Sequence, residues 1–137
     1  MTEKPHRLII RVYYEDTDFS GVVQHVAYLR FFERGRTEFL RTHSIAQSAL
    51  FAAGALAFVV RSLHVEYLRP ARMDDELCVE TGLDKLGGAS IEMAQAILRG
   101  AELLASAHVR VAAVADGRAK RLPAEIESLL GPAADDS

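Results

Sequence analysis

Two hydrophobic periods divide the chain. Residues 6–14, HRLIIRVYY, crowd β-branched and aromatic side chains together, which predicts a strand. Residues 15–24 read as a loop. From His25 to Thr42 the spacing changes: Tyr28, Phe32, Gly35 and Phe39 recur at helical intervals, with Leu29 and Leu40 beside them. Arg30, Glu33, Arg34, Arg36, Glu38 and Arg41 take most of the remaining positions, so the segment predicts an amphipathic helix of about five turns. Gly35 in its middle costs about 1 kcal/mol relative to alanine. A close approach between this helix and a strand would explain it.

A short helix is predicted over 44–54, with Ser44 as its cap and Gly54 as its stop. The pattern then turns to β. Residues 56–70 form a long apolar run ending at Pro70, and 76–86 follow. Gly87-Gly88 marks a hairpin into 89–99. RGAE at 99–102 is the next turn, 103–115 is the last long strand, and Asp116-Gly117 closes it. Pro123 opens a short helix over 123–130. GPAADDS at 131–137 reads as a frayed polar tail.

Strand, long helix, then four long strands joined by tight turns describe an α+β domain with an antiparallel sheet and one helix packed along its concave face. All 137 residues fit one domain. Ala94, Ala96, Ala105, Ala107, Ala112 and Ala113 are expected on the outer face of the sheet, which makes a poor solvent surface and points to a self-paired dimer or larger assembly.

Composition narrows the functional classes. Half of the residues are hydrophobic and about a quarter charged, which is ordinary for a globular domain. The net charge of −3 argues against a nucleic-acid binder, which carries a basic stripe. A single cysteine, Cys78, excludes an internal disulfide and a cysteine-built metal site, and is expected as a small buried side chain. There is no signal-peptide pattern and no run of eighteen apolar residues, so a cytoplasmic protein is expected.

The chemistry concentrates before the long helix, where Glu15, Asp16 and Asp18 are followed by Gly21, Val22, Val23 and His25. Three readings compete. As a calcium loop, Asp16, Asp18 and Ser20 fill positions 1, 3 and 5 and Gly21 position 6, but position 12 is Ala27 and a strand precedes the loop. The five histidines show no paired spacing for zinc, so no metal site is expected. As a helix cap, the acidic residues favour the positive end of the helix, with Ser20 as cap, which accounts for one carboxylate but not three. As an active site, a carboxylate beside free N–H groups of a first helical turn can activate water or attack a carbonyl whose oxygen those N–H groups polarise. Gly21, Val22 and Val23 would then give close backbone approach and an apolar wall.

The segment RVYYEDTDFSGVVQHVAYLRFFERGRTEFLR resembles the opening of the hotdog-fold acyl-CoA thioesterases, nearest to the YbgC-like branch and to the 4-hydroxybenzoyl-CoA thioesterase family. Tyr14, Thr17, Asp18, Gly21, Val23, His25 and Tyr28 match the family pattern, and the likeness continues through residues 57–77 and 109–126. The resemblance implies a hotdog fold, a long antiparallel sheet wrapped around one central helix, paired into a homodimer and assembled further into a homotetramer with active sites at the dimer interface. It implies a hydrolase of short- or medium-chain acyl-CoA, aromatic acyl groups included. No cofactor is implied, since CoA is part of the substrate. Asp18 takes the catalytic position as base or nucleophile, with the backbone N–H near His25 as oxyanion donor. The His25 side chain helps in positioning or proton transfer, and Tyr14 bonds Asp18 or lines the pocket. Gly21, Val22, Val23 and Tyr28 line the substrate site, while Glu15 and Asp16 are structural or solvated. Arg61, Arg72, Arg118, Lys120 and Arg121 are the candidates for the CoA phosphates, with the cluster at 117–121 foremost.

Two positions depart from the family pattern. Gln24 stands where relatives commonly carry an aromatic, and Ala27 where they carry a polar residue, so acyl specificity does not transfer. The competing function within the resemblance is a non-catalytic module that binds an acyl thioester or acyl carrier protein at the Tol–Pal machinery of the cell envelope, peripheral to the inner membrane. A hydratase of the same fold would need a histidine with an acidic partner in a different motif, which the chain lacks.

Overall fold

The computed structural model describes residues 4–135. Strand β1 (His6–Arg11) is followed by helix α1 (His25–Thr42), helix α2 (Gln47–Gly54), strands β2 (Ala57–Tyr67), β3 (Glu76–Leu86), β4 (Ser90–Arg99) and β5 (Glu102–Ala115), a short β6 (Arg118–Ala119) and helix α3 (Ala124–Asp135). One antiparallel sheet carries the strands in the order β1-β3-β4-β5-β2, with β6 on β5. Helix α1 lies against its concave face, which is the α+β hotdog arrangement expected.

The core forms where the two periods meet. Phe31, Phe32, Phe39 and Leu40 of α1 are buried against Leu77 and Val79 of β3, Ile91, Met93 and Ile97 of β4, and Val109 and Val111 of β5. Gly35 is the contact point. A Cβ there would lie 2.7 Å from Val79 Cγ1 and 2.8 Å from Thr81 Oγ1, so a side chain would push helix and sheet apart. Beside it Arg36 is buried and donates from Nη1 to Gln95 Oε1 at 3.0 Å. Gln95 Nε2 in turn donates to Phe32 O and Thr81 Oγ1. Burial pushes the Arg36 pKa down, partly offset by Glu33, and the polar chain through Gln95 makes that burial tolerable.

Several boundaries differ from the sequence reading for local reasons. The first strand stops at Arg11, not Tyr14, because Asp16 Oδ2 accepts the Tyr13 N–H at 2.9 Å and bends Tyr14–Asp16 into a 3-10 turn. Ser44 does not cap α2. It closes α1 in a left-handed conformation (φ 63°), with Ile45 N donating to Leu40 O and Ser44 N to Arg41 O, while Ile45 buries its side chain. Gly54 is still helical, and Ala55 makes the left-handed exit (φ 56°). Helix α3 continues through Asp135, so residues 131–135 are helical, and 136–137 lie outside the described residues. Cys78 is half-buried on β3.

The alanine face is corrected as well. Ala107 pairs with Gln95, whose side chain is buried, so Ala107 faces α1; Ala105 and Ala113 share its parity and are buried too. Ala112 is buried on the opposite face, which leaves Ala94 exposed and Ala96 half-buried there. Strand β2 presents an uncovered apolar edge. This edge strand of 11 residues leaves Val59, Val60 and Leu63 between 38% and 45% exposed. The other edge, β1, is short and carries the Arg7–Glu80 and Arg11–Glu76 ion pairs, a charged edge of the kind that resists pairing.

Candidate active site

The loop between β1 and α1 is pinned to the β2–β3 connection. Val23 N donates to Ala71 O, Met73 N donates to Gly21 O, and Val22 bridges to Arg72. Gly21 (φ 82°) supplies the left-handed turn that lets this loop double back. The connection is itself held from below: Asp75 Oδ2 accepts from Arg72 N at 2.8 Å and from Arg99 Nη1 at 2.7 Å, and Arg99 also grips Glu102. Burial pushes the Asp75 carboxyl up, but the Arg72 amide and Arg99 together outweigh it and hold it below its ordinary value.

The three acidic residues separate into three roles. Asp16 is buried, caps the 3-10 turn through Tyr13 N, and has Arg30 at 3.6 Å. Glu15 is exposed. Asp18 is exposed at the tip, and its Oδ1 accepts from Ser20 Oγ at 2.6 Å, Ser20 N at 2.8 Å and Val22 N at 3.4 Å. The Ser20 hydroxyl, and after it the Ser20 amide, hold the Asp18 carboxyl below the usual range. Among the described residues Oδ2 has no partner, so the carboxylate is oriented by one oxygen and free at the other.

Helix α1 begins without a side-chain cap. Its N-cap residue, Gln24, sends Nε2 to Thr17 O at 2.8 Å instead. Ala27 N is satisfied by Gln24 O, whereas the His25 and Val26 amides have no acceptor among the described residues. Two donors at the positive end of an 18-residue helix therefore remain open to a ligand.

Beside them lies a cavity of about 220 Å³ lined by Val22, Val23, His25, Tyr28, Tyr67, Leu68, Arg69 and Pro70. The His25 ring stacks on Tyr67, and Tyr28 meets Tyr67 edge-on with centroids 5.4 Å apart. Tyr28 Oη accepts the Ala71 N–H at 2.9 Å, and burial pushes its phenol pKa up. Asp18 does not line this cavity within one chain. It joins the wall through its own amide, which donates to Val22 O. The Tyr14 side chain is 79% exposed on the 3-10 turn and makes no hydrogen bond to Asp18; its carbonyl accepts from Thr17.

A second cavity, about 380 Å³, gathers Arg61, Lys85 and Arg110 around Glu92 and the Gly87–Ser90 turn. Arg121 approaches the same turn, its Nη1 3.1 Å from where a Gly88 Cβ would stand. Arg118 and Lys120 are exposed nearby and Arg72 lies on the β2–β3 connection, none of them lining it. Sequence reasoning named Arg61 but missed Lys85 and Arg110, which adjoin it only through the pairing of β3, β4, β5 and β2. It also missed Tyr67, Leu68, Arg69 and Pro70, for which the ending of an apolar run at Pro70 was the available signal.

Comparison with known proteins agrees with this geometry. The family described as the thioesterase-like superfamily matches residues 12–130. The acyl-CoA thioesterase YbgC of Haemophilus influenzae is 46% identical over 121 residues, covering 87% of this chain and 89% of the relative. Among solved structures, a probable thioesterase from Bartonella henselae is 43% identical with a TM-score of 0.84, covering 87% of this chain and 99% of that one. A thioesterase from Thermus thermophilus, complexed with coenzyme A and Zn, is 26% identical with a TM-score of 0.83, covering 98% of each chain. The chain belongs to the thioesterase-like superfamily, as a hotdog-fold member of its YbgC-like acyl-CoA thioesterase branch.

Proposed function

We propose that this chain hydrolyses an acyl-CoA thioester to a free acid and CoA, with Asp18 as base or nucleophile and the His25 and Val26 amides as oxyanion donors. Thioester hydrolysis is the reaction class of its family. The observation that carries the residue assignment is the pair of open amides at the start of α1, beside a cavity whose wall is bonded to the Asp18 loop.

In the base mode, water between Asp18 Oδ2 and the thioester carbon gives its proton to the carboxylate as its oxygen adds to the carbonyl. The carbonyl electron pair moves onto oxygen, where the two amides hold it. Collapse of the intermediate expels CoA thiolate, which takes up a proton. In the nucleophile mode Oδ2 itself adds, CoA leaves, and water hydrolyses the mixed anhydride. Either mode needs an ionised Asp18, which its lowered pKa favours. Losing a single oxyanion donor typically costs about 10²–10³ in kcat. His25, stacked on Tyr67, shapes the mouth of the site, and the exposed Tyr14 side chain is free to meet an incoming ligand.

The apolar and aromatic wall of Val22, Val23, Tyr28, Tyr67 and Leu68 suits a short- or medium-chain acyl group or an aromatic ring. The basic cavity at Arg61, with Arg118, Lys120 and Arg121 close by, suits the CoA phosphates. An acyl group delivered on an acyl carrier protein would meet the same loop. The scheme calls on no cofactor beyond the substrate itself. A homodimer through β2, assembled further into a tetramer, completes the reading: antiparallel self-pairing covers the apolar edge and brings the Arg61 half of one copy alongside the Tyr67 half of the other. Among the described residues no helix is long and apolar enough to cross a membrane. A cytoplasmic enzyme, peripheral to the inner membrane where it meets a partner, fits the reading.

The test is release of free CoA thiol from a chain-length panel of acyl-CoAs, with Asp18→Asn alongside. Turnover on some chain length, reduced at least about a hundredfold in kcat with CoA binding intact, is the expected result. No turnover on any acyl-CoA or acyl carrier protein, with binding intact in both proteins, would overturn hydrolysis in favour of a binding role.

A further inference from the structure

We propose that Asp84, Glu92 and His108 form a binding site for a divalent transition-metal ion, Zn²⁺ foremost, on the face of the sheet turned away from α1. The three side chains come from three adjacent strands, β3, β4 and β5, and their ligand atoms all lie within 4.8 Å of one another. His108 Nε2 is 3.1 Å from Asp84 Oδ2 and 3.4 Å from Glu92 Oε1. Ligand atoms about 2.1 Å from a tetrahedral Zn²⁺ stand about 3.4 Å apart, so the imidazole and both carboxylates need only small rotations to share one ion. One imidazole and two carboxylates leave a fourth position open for water, a donor set that suits Zn²⁺ better than Mg²⁺ or Ca²⁺.

The backbone builds this cluster. The register slips between Leu83 and Lys85, so Asp84 is an extra residue in a bulge. Ala94 lies between Gly82 on β3 and His108 on β5, so the two residues in line with the imidazole across β4 and β3, Ala94 and Gly82, are small. The charge pattern is the second observation. Glu92 sits directly opposite Lys85 on one side and Arg110 on the other. Cross-strand attraction would favour an ion pair with either cation. Among the described residues Glu92 makes neither, and its one ion-pair contact is His108. Two carboxylates are thus turned onto one imidazole nitrogen although Lys85 and Arg110 stand directly across from Glu92. Sequence spacing held no sign of this site, because its ligands are 8 and 16 residues apart and meet only through the sheet register.

The site does not depend on the proposed hydrolysis, and its test reads metal directly. Zn²⁺ is titrated into the full chain, previously treated with a chelator, by calorimetry and equilibrium dialysis, with His108→Ala and Asp84→Asn in parallel. The expected result is one Zn²⁺ per chain with a dissociation constant at or below about 10 µM, weakened at least about tenfold in each variant. Zn²⁺ should also raise the Tm of the unchanged chain and not that of His108→Ala, since only the metal-binding form gains by mass action. Circular dichroism without metal checks that the variants fold. Binding at full strength in His108→Ala, or no saturable one-to-one binding below about 1 mM, would overturn the proposal.

Discussion

The imidazole of His25 stacks on the ring of Tyr67 with centroids 4.4 Å apart and planes 20° from parallel. The contact joins the first residue of α1 to the last residue of β2, and so fixes the open end of the helix against the sheet edge. Ring pairs of this kind contribute about 0.5–1.5 kcal/mol beyond area burial. Tyr67→Ala should therefore lower kcat/KM about threefold to tenfold, whereas Tyr67→Phe, which keeps the ring, should stay within about twofold of the unchanged chain. Steady-state kinetics on the best acyl-CoA of the panel measures both. Equal losses in the two variants would mean that the hydroxyl matters and the stack does not.

Ser20 sets the ionisation of Asp18. Its hydroxyl, and after it its amide, keep the folded carboxyl below the ordinary value, so the free enzyme retains the active carboxylate as pH falls through the usual carboxylate range. Activity through Asp18 is present above its folded pKa and lost as pH falls through it. Ser20→Ala removes the larger of the two causes, so the acid limb of kcat/KM should move upward toward the ordinary aspartate range. A rate profile over about pH 3–7 for both proteins reads this shift directly. An unmoved limb would mean that another group controls it.

Gly35 makes a structural prediction of opposite sign to its helix propensity. Alanine in a helix interior gains about 1 kcal/mol over glycine in isolation. Here the new methyl would stand 2.7 Å from Val79 Cγ1, 2.8 Å from Thr81 Oγ1 and 3.1 Å from Gln95 Nε2, the last two bonded to each other in a buried network. Gly35→Ala should destabilise the fold by about 1–3 kcal/mol, as overpacking does, measured by urea unfolding. A stabilised variant would show that α1 can lift from the sheet without cost.

The parts of the fold legible in the sequence were those that repeat. The bounds of α1 follow from helical periodicity over many residues, the end of β3 from the Gly87-Gly88 hairpin signal, and Gly35 stood out as a glycine where a helix has no local use for one. The acidic loop was legible as a place of chemistry but not as an arrangement. Asp16 as a buried cap and Asp18 as an exposed carboxylate differ by two residues and by everything around them, and only the bonds to Tyr13 and Ser20 tell them apart. The wall at Tyr67–Pro70 joins the loop through bridges near Ala71 and Arg72, about fifty residues away in the chain. The alanines misled because an even scatter of small residues carries no face of its own, and parity is fixed only once Ala107 is paired with Gln95.

β2 carries the prediction about assembly. Its apolar side chains at Val59, Val60 and Leu63 are uncovered, and its free edge is unpaired along 11 residues. In a two-fold pairing each substituted position occurs twice, so Leu63→Lys sets two cations into one short apolar seam and leaves the single-chain core untouched. The unchanged chain should sediment as a dimer or tetramer, and Leu63→Lys should shift it toward monomer with at least about a tenfold rise in the dissociation constant, about 1.4 kcal/mol. Circular dichroism should be unchanged, because Leu63 is outside the core cluster. If the two halves of β2 combine to form each substrate site, turnover should fall with the dimer fraction as the variant is diluted. A monomeric unchanged chain with full turnover would reject the β2 dimer and return the site to one chain.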